Sequence, residues 1–312
     1  MPAANLDGSR REIDSRERPI PILPIMKHAI LALFAFLVLA CSSNAPRDPL
    51  EFHDGTTRST DGVPIEFTAG GQGETALVFV HGWLGDQSVW YRTMQRFAPR
   101  YRVVAMDLAG HGKSGRDRQD WSVERFADDV SAVVRSLDLH HAILVGHSMS
   151  GPISVAAANK LGDRVDALIP VDTLLDAEWD LPPEVWKQFF DGLRADFPAN
   201  TEAFFRGILA APTSPKAVID EIVAKARLAD PVSAVPMLEN GRDYDLKAGL
   251  RALRVPIRAI NSDMNPTKLE TNRKYAPRFD VEIVSGVGHW PHLEAPDRFG
   301  DALDKVLAAL GR

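Results

Sequence analysis

The sequence predicts an α/β protein, a mostly parallel sheet with flanking helices and an all-helical segment inserted late in the chain. Three observations lead there. Along residues 59–172 and 251–312, short apolar runs alternate with amphipathic stretches, as expected of strands buried on both faces and joined by crossover helices. Between Asp172 and Arg251 that alternation stops and helical patterns follow one another. The chain has 312 residues, 45% hydrophobic and 25% charged, which allows a sizeable core and excludes a disordered or collagen-like polymer. A net charge of −6 leaves no basic surplus to neutralise phosphates, so nucleic acid is not an expected partner. No repeat of 20–50 residues is visible.

The N-terminal part lies outside this pattern. Lys27 and His28 precede an apolar run, Ala29 to Ala40, too short for a bilayer span and of the length of a signal-peptide core. It ends Val38-Leu39-Ala40-Cys41, followed by Ser42-Ser43-Asn44, and Cys41 is the single cysteine of the chain. This resembles a bacterial lipobox, which implies lipidation of Cys41 and a lipid-anchored protein of the outer membrane or periplasm. Residues 1–40 are then a leader and extension. Residues 1–25, with Arg10, Arg11, Arg16 and Arg18 among acids, fit a signal poorly, and Met26 makes a natural start. Residues 41–58 read as the lipidated cysteine and a polar tether.

The first core segment, 59–172, is expected to hold an edge strand at Val63–Phe67 and strands at Ala76–Val80, Arg102–Met106, Ala142–Val145 and Ala167–Val171. A helix over Ser122–Leu137 aligns Phe126, Val130, Val133, Val134 and Leu137 on one face, with Ser122 placed to cap it and Glu124 in its first turn. A second helix covers Ser150–Lys160. Helices at Pro182–Arg194, Thr201–Leu209, Ser214–Leu228 and Pro231–Leu238 make up the inserted segment, 173–250, which is rich in aromatics: Trp179, Trp186, Phe189, Phe190, Phe197, Phe204 and Phe205. Such an insertion suggests a lid over the sheet's C-terminal edge, where open α/β sheets bind ligands. The second core segment, 251–312, supplies strands Ile257–Ile260 and Glu282–Val284 and a helix at Pro296–Leu310.

Four strand ends carry the chemistry. Ile143-Leu144-Val145-Gly146-His147-Ser148-Met149-Ser150-Gly151 runs from an apolar strand through small residues into a helix. A serine that must project from so sharp a turn needs small neighbours two before and two after, here Gly146 and Ser150. Leu77–Val80 leads into His81-Gly82-Trp83, upstream, where a loop could offer one of the two amides that hold an oxyanion. Trp83 N–H and Met149 N–H are the candidates. Asp107 to Ser114 is a glycine-containing turn read as structural. Gly286-Val287-Gly288-His289-Trp290-Pro291-His292 follows a strand, and a serine hydroxyl needs a base such as His289, with His292 a rival further from the strand end.

Taken together, these motifs resemble the α/β-hydrolase superfamily over residues 60–312. The resemblance implies a serine nucleophile, an acid and a histidine in that order, with no metal or organic cofactor. The acid is expected after strand Ile257–Ile260, at Asp263, although Asn261 stands where glycine is usual and the spacing is short. Asp172, after strand Ala167–Val171, is the alternative. Either would hold the His289 tautomer and stabilise its imidazolium. A serine nucleophile argues against the dehalogenase and epoxide hydrolase branches, which use aspartate. It implies hydrolysis of a carboxylic ester or lactone through an acyl-enzyme on Ser148, and the aromatic insertion favours an apolar acyl or aryl group. A thioesterase, acyltransferase, peptidase or carbon–carbon hydrolase on the same residues, or a non-catalytic sensor of small molecules, are the alternatives. His289-x-x-His292 lacks a third partner for a zinc site.

Overall fold

The computed structural model describes residues 51–312, so Cys41, the leader before it and most of the tether lie outside the described residues. Eight strands form one sheet: β1 His53–Arg58, β2 Pro64–Gly71, β3 Ala76–Val80, β4 Arg102–Met106, β5 Ala142–His147, β6 Val165–Val171, β7 Ile257–Ser262 and β8 Phe279–Val284. Their order is β1-β2-β4-β3-β5-β6-β7-β8. β1 and β2 are antiparallel to each other, and β2 is antiparallel to β4. The pairs from β4 through β8 are all parallel.

The central strands are apolar because both their faces are covered. Every residue of β3 and β5 is buried. One face packs Phe126, Val130 and Val134 of helix Val123–Ser136 together with Ile153 and Ala157 of helix Ser150–Leu161. The other packs Trp90 from the 3₁₀ turn Gln87–Trp90 and Met94, Phe97, Phe299 and Leu303 from the helices Tyr91–Phe97 and Pro296–Ala309. Ser122 occupies the cap position of its helix, yet its side chain makes no capping bond.

Several boundaries differ from expectation: β2 runs from Pro64 to Gly71, β5 runs on to His147, and β6 and β8 start earlier, at Val165 and Phe279. Val63–Phe67 is not at the edge, because His53–Arg58, assigned to the tether, forms β1 outside it. Its polar sequence follows from its position. The strand is exposed or half-exposed throughout and is held by a backbone ladder rather than by side-chain burial. β7 runs to Ser262, two residues further than expected, with polar Asn261 and Ser262 fully buried.

Between β6 and β7 the chain is helical: Pro183–Ala195, Phe197–Phe204, a π-helical turn at Phe205–Leu209, Lys216–Ala226, Pro231–Glu239 and Leu246–Ala252. The sheet changes direction of growth between β3 and β5, which pair Val80 with Gly146. The oxyanion-loop and serine motifs leave the sheet from these two strands, at the point where open α/β sheets form a crevice.

Candidate active site

Ser148 follows β5 directly. It has φ +54°, a left-handed conformation that an L-residue holds only when its surroundings impose it. Three contacts impose it here. Ser148 N–H donates to Val171 O at 3.0 Å, Ser148 O accepts from Gly151 N at 2.9 Å, and Ser150 Oγ donates to His81 O at 2.5 Å. The last bond explains why serine stands where a second small residue is required: its hydroxyl ties the turn to the end of β3.

The oxyanion loop lies against this turn. A Cβ on Gly82 would sit 2.7 Å from His147 Nδ1 and 3.0 Å from Ser148 Cβ, so no larger residue lets the two loops meet. Two buried histidines brace the loop from the Asp107–Ser114 side. His81 Nδ1–H donates to Gly82 O at 2.8 Å while Nε2 accepts from Leu108 N at 3.1 Å. His111 Nδ1–H donates to Ala109 O at 3.0 Å while Nε2 accepts from Leu84 N at 3.3 Å. Each neutral imidazole uses its one donor and one acceptor. Burial pushes the His111 ring down to about 3. The Asp107 carboxylate accepts from Gln87 N at 2.7 Å and Lys113 N at 2.8 Å, which is the structural part expected of that run. Among the described residues, neither Trp83 N–H nor Met149 N–H donates to a protein acceptor.

His289 Nε2 lies 2.7 Å from Ser148 Oγ, and His289 Nδ1 lies 2.7 Å from Asp172 Oδ2. The carboxylate assigns the proton to Nδ1 and leaves Nε2 to accept from the hydroxyl. Asp172 is 3% exposed. Its N–H donates to Ile260 O at 3.0 Å, and its Oδ1 accepts from Ser262 N at 2.7 Å. Burial raises its carboxyl, but the hydrogen bond and charge of His289, with the Ser262 bonds, outweigh this and hold it below the ordinary value.

The acid beside the histidine is therefore Asp172, not Asp263. The cause is the length of β7. Two extra strand residues carry Asp263 past the histidine to the exit of β8, where its Oδ1 accepts from Gly286 N at 2.7 Å. Asp172 leaves the neighbouring strand one residue beyond Val171, which pairs with His147, so it emerges beside Ser148. The buried polar end of β7 serves it: Ser262 N–H binds its carboxylate, and Asn261 Oδ1 accepts from Thr173 N at 3.3 Å. That unusual pair of polar residues at a strand end was the signal available in the sequence.

His292, the rival base, is fully buried against Trp90, with ring centroids 4.2 Å apart, and does not reach Ser148. It lines, with Gly82, Trp83, His147, Phe205 and Trp290, a narrow cavity of about 40 Å³. His147 was not singled out as a site residue. Its Nε2–H donates to His289 O at 2.8 Å, and burial, then the nearby His289, push its ring down to about 3, so it is neutral at pH 7. From the insertion, Phe197, Phe204 and Phe205 pack edge-on around Trp83, and Phe205 also meets Trp290.

The model of the alpha/beta hydrolase family matches residues 77–302. The chain belongs to that family. It is a hydrolase by that membership, and its relatives agree in fold. It is similar to the 2-(acetamidomethylene)succinate hydrolase of Mesorhizobium japonicum, 25% identical over 240 residues, which cover 71% of this chain and 84% of the relative. It is similar to the pimeloyl-[acyl-carrier protein] methyl ester esterase of Sodalis glossinidius, 27% identical over 257 residues, covering 77% and 96%. Among solved structures it resembles the thermophilic esterase of Thermogutta terrifontis, with a TM-score of 0.69, 25% identity, and coverage of 83% of this chain and 99% of that one.

Proposed function

We propose that this hydrolase cleaves a carboxylic ester or lactone with an apolar acyl or aryl part, through an acyl-enzyme on Ser148. The observation that carries the reading is the unbroken hydrogen-bonded line from Ser148 Oγ through His289 to Asp172. His289 Nε2 takes the hydroxyl proton as Ser148 attacks the carbonyl carbon. Trp83 and Met149 N–H groups receive the oxyanion of the tetrahedral intermediate. His289 returns the proton to the leaving alkoxide, then draws one from water to release the acid. Asp172 stays ionised and stabilises the imidazolium between the two transfers. The ester choice draws support from the methyl ester named for one relative, and the apolar group from the aromatic side chains around Trp83.

The test is a chain-length series of p-nitrophenyl esters with several lactones at neutral pH. Ser148→Ala should lower kcat by about 10³-fold or more with the fold intact by circular dichroism. Turnover that survives this change would remove Ser148 from the mechanism.

The lipobox-like run before Cys41 supports a lipid-anchored protein of the outer membrane or periplasm. Cys41→Ser should shift the protein from membrane to soluble fractions. A variant that stays with the membrane would refute the lipid anchor.

A further inference from the structure

The loop that carries His289 has no strand partner of its own, yet the N–H groups of residues 288–290 are all held. His289 N–H donates to Leu209 O at 2.9 Å. The amides on either side, Gly288 and Trp290, donate to the two oxygens of Glu294 at 2.7 and 3.1 Å. Glu294 is buried and accepts one further bond, from Ser214 Oγ at 2.6 Å, and that hydroxyl in turn accepts from Ala211 N at 2.9 Å. Leu209, Ala211 and Ser214 belong to the helical insertion. The contact is close enough to require glycine, since a Cβ on Gly288 would lie 2.8 Å from Leu209 O, Ala211 N and Ser214 Oγ. Charge-assisted bonds to a buried carboxylate are among the stronger ones available to a loop.

We propose that Glu294 is a positioning residue that couples the insertion to the base. Through Ser214 it fastens residues 209–214 to the histidine loop, so that His289 is held within reach of Ser148 only while the insertion is seated. This rests on His289 acting as the base. A ring that must stay 2.7 Å from the hydroxyl loses rate steeply with displacement, about 100-fold for about 1 Å. Occupancy of the space under the insertion would thus be sensed at the base itself.

The test uses the full chain, p-nitrophenyl acetate as substrate, and diethyl p-nitrophenyl phosphate to count reactive serines. Glu294→Gln keeps the shape but loses the charge, and should lower kcat per reactive serine by about 10- to 100-fold, with KM within about threefold. Ser214→Ala cuts only the link to the insertion and should lower it by about 3- to 10-fold, whereas Ser214→Thr, which keeps the hydroxyl, should stay within about twofold. The double change Glu294→Gln with Ser214→Ala should be no slower than Glu294→Gln alone. A merely structural role would reduce the number of reactive serines and leave kcat per serine unchanged. That result in Ser214→Ala, or additive losses in the double variant, would overturn the coupling. Ser214→Ala decides alone if Glu294→Gln does not fold. A wild-type protein that the phosphate ester does not label would sink the serine–base reading, and the coupling with it.

Discussion

The sheet edge and the helical insertion are built on opposite terms. At the edge, Ser148 and Asp172 directly follow β5 and β6, strands paired on both sides, and Asp172 and the bracing histidines His81 and His111 are buried. The insertion holds five of the seven large hydrophobic residues that are exposed among the described residues, from Val185 at 42% to Leu228 at 87%. It also holds a π-helical turn at Phe205–Leu209 and a proline, Pro236, inside a helix. On the proposed reading the difference separates two tasks: bond-making stands where a shift of an ångström would disturb the core, and contact with the substrate falls to short helices that can vary without disturbing the sheet.

That division can be broken most sharply at the two strand-end aspartates. Asp172→Asn should lower kcat by about 10²- to 10⁴-fold, since the amide favours the wrong histidine tautomer. Asp263→Asn should stay within about threefold, because an amide oxygen still accepts from Gly286 N. Equal losses from the two would mean that the bond to His289 does not identify the acid.

The edge should also respond to pH between 7 and 5. His81, His111, His147 and His292 all have rings whose folded values are lowered from 6.5, first of all because burial disfavours the imidazolium. Below 6.5 the unfolded chain takes up protons that the folded chain refuses until about 3 for His111 and His147. Stability is therefore complete above 6.5 and is lost as pH falls from 6.5 towards 3, by about 1.4 kcal/mol per pH unit for each such histidine. Urea unfolding at pH 7, 6 and 5 measures the slope, and His147→Gln, whose amide can still donate to His289 O, should make it shallower. Identical stability at pH 7 and pH 5 would show that these rings are not held neutral.

Within the insertion, Phe204→Ala should change the ratio of kcat/KM between acetate and octanoate esters by about tenfold while leaving kcat on acetate within about threefold. An unchanged ratio would take Phe204 out of substrate recognition. Smallest of all, Leu228→Ser at the insertion's surface should alter stability by less than about 0.5 kcal/mol in denaturant unfolding. A larger loss would mean that this exposed side chain has a partner.

The sequence made some of this legible for physical reasons that differ by residue. β3, β4 and β5 are apolar runs because helices cover both sides, so their positions follow from composition alone. Ser148 and His289 are legible because a sharp turn after a strand constrains its neighbours to small residues. Asp172 ranked second to Asp263 because of a strand boundary: polar residues at the end of β7 read as the start of a loop, when they are buried partners of a carboxylate 90 residues away in the chain and adjacent in space. β1 was hidden because an exposed edge strand has no apolar alternation to announce it. Glu294 was hidden because a carboxylate that binds backbone amides leaves no pattern beyond its place two residues before the helix that starts at Pro296.

The left-handed residues around the site have one more consequence. Leu84, Ser148, Asp172 and Leu174 all sit at positive φ without being glycine, at +60°, +54°, +46° and +52°. Such a conformation disfavours an L-residue by about 1–2 kcal/mol. At 148 only glycine would relieve it, and glycine has no hydroxyl. If Ser148 attacks as proposed, selection for thermal endurance and selection for turnover pull this position in opposite directions, and the most durable version of the scaffold would be an inactive one.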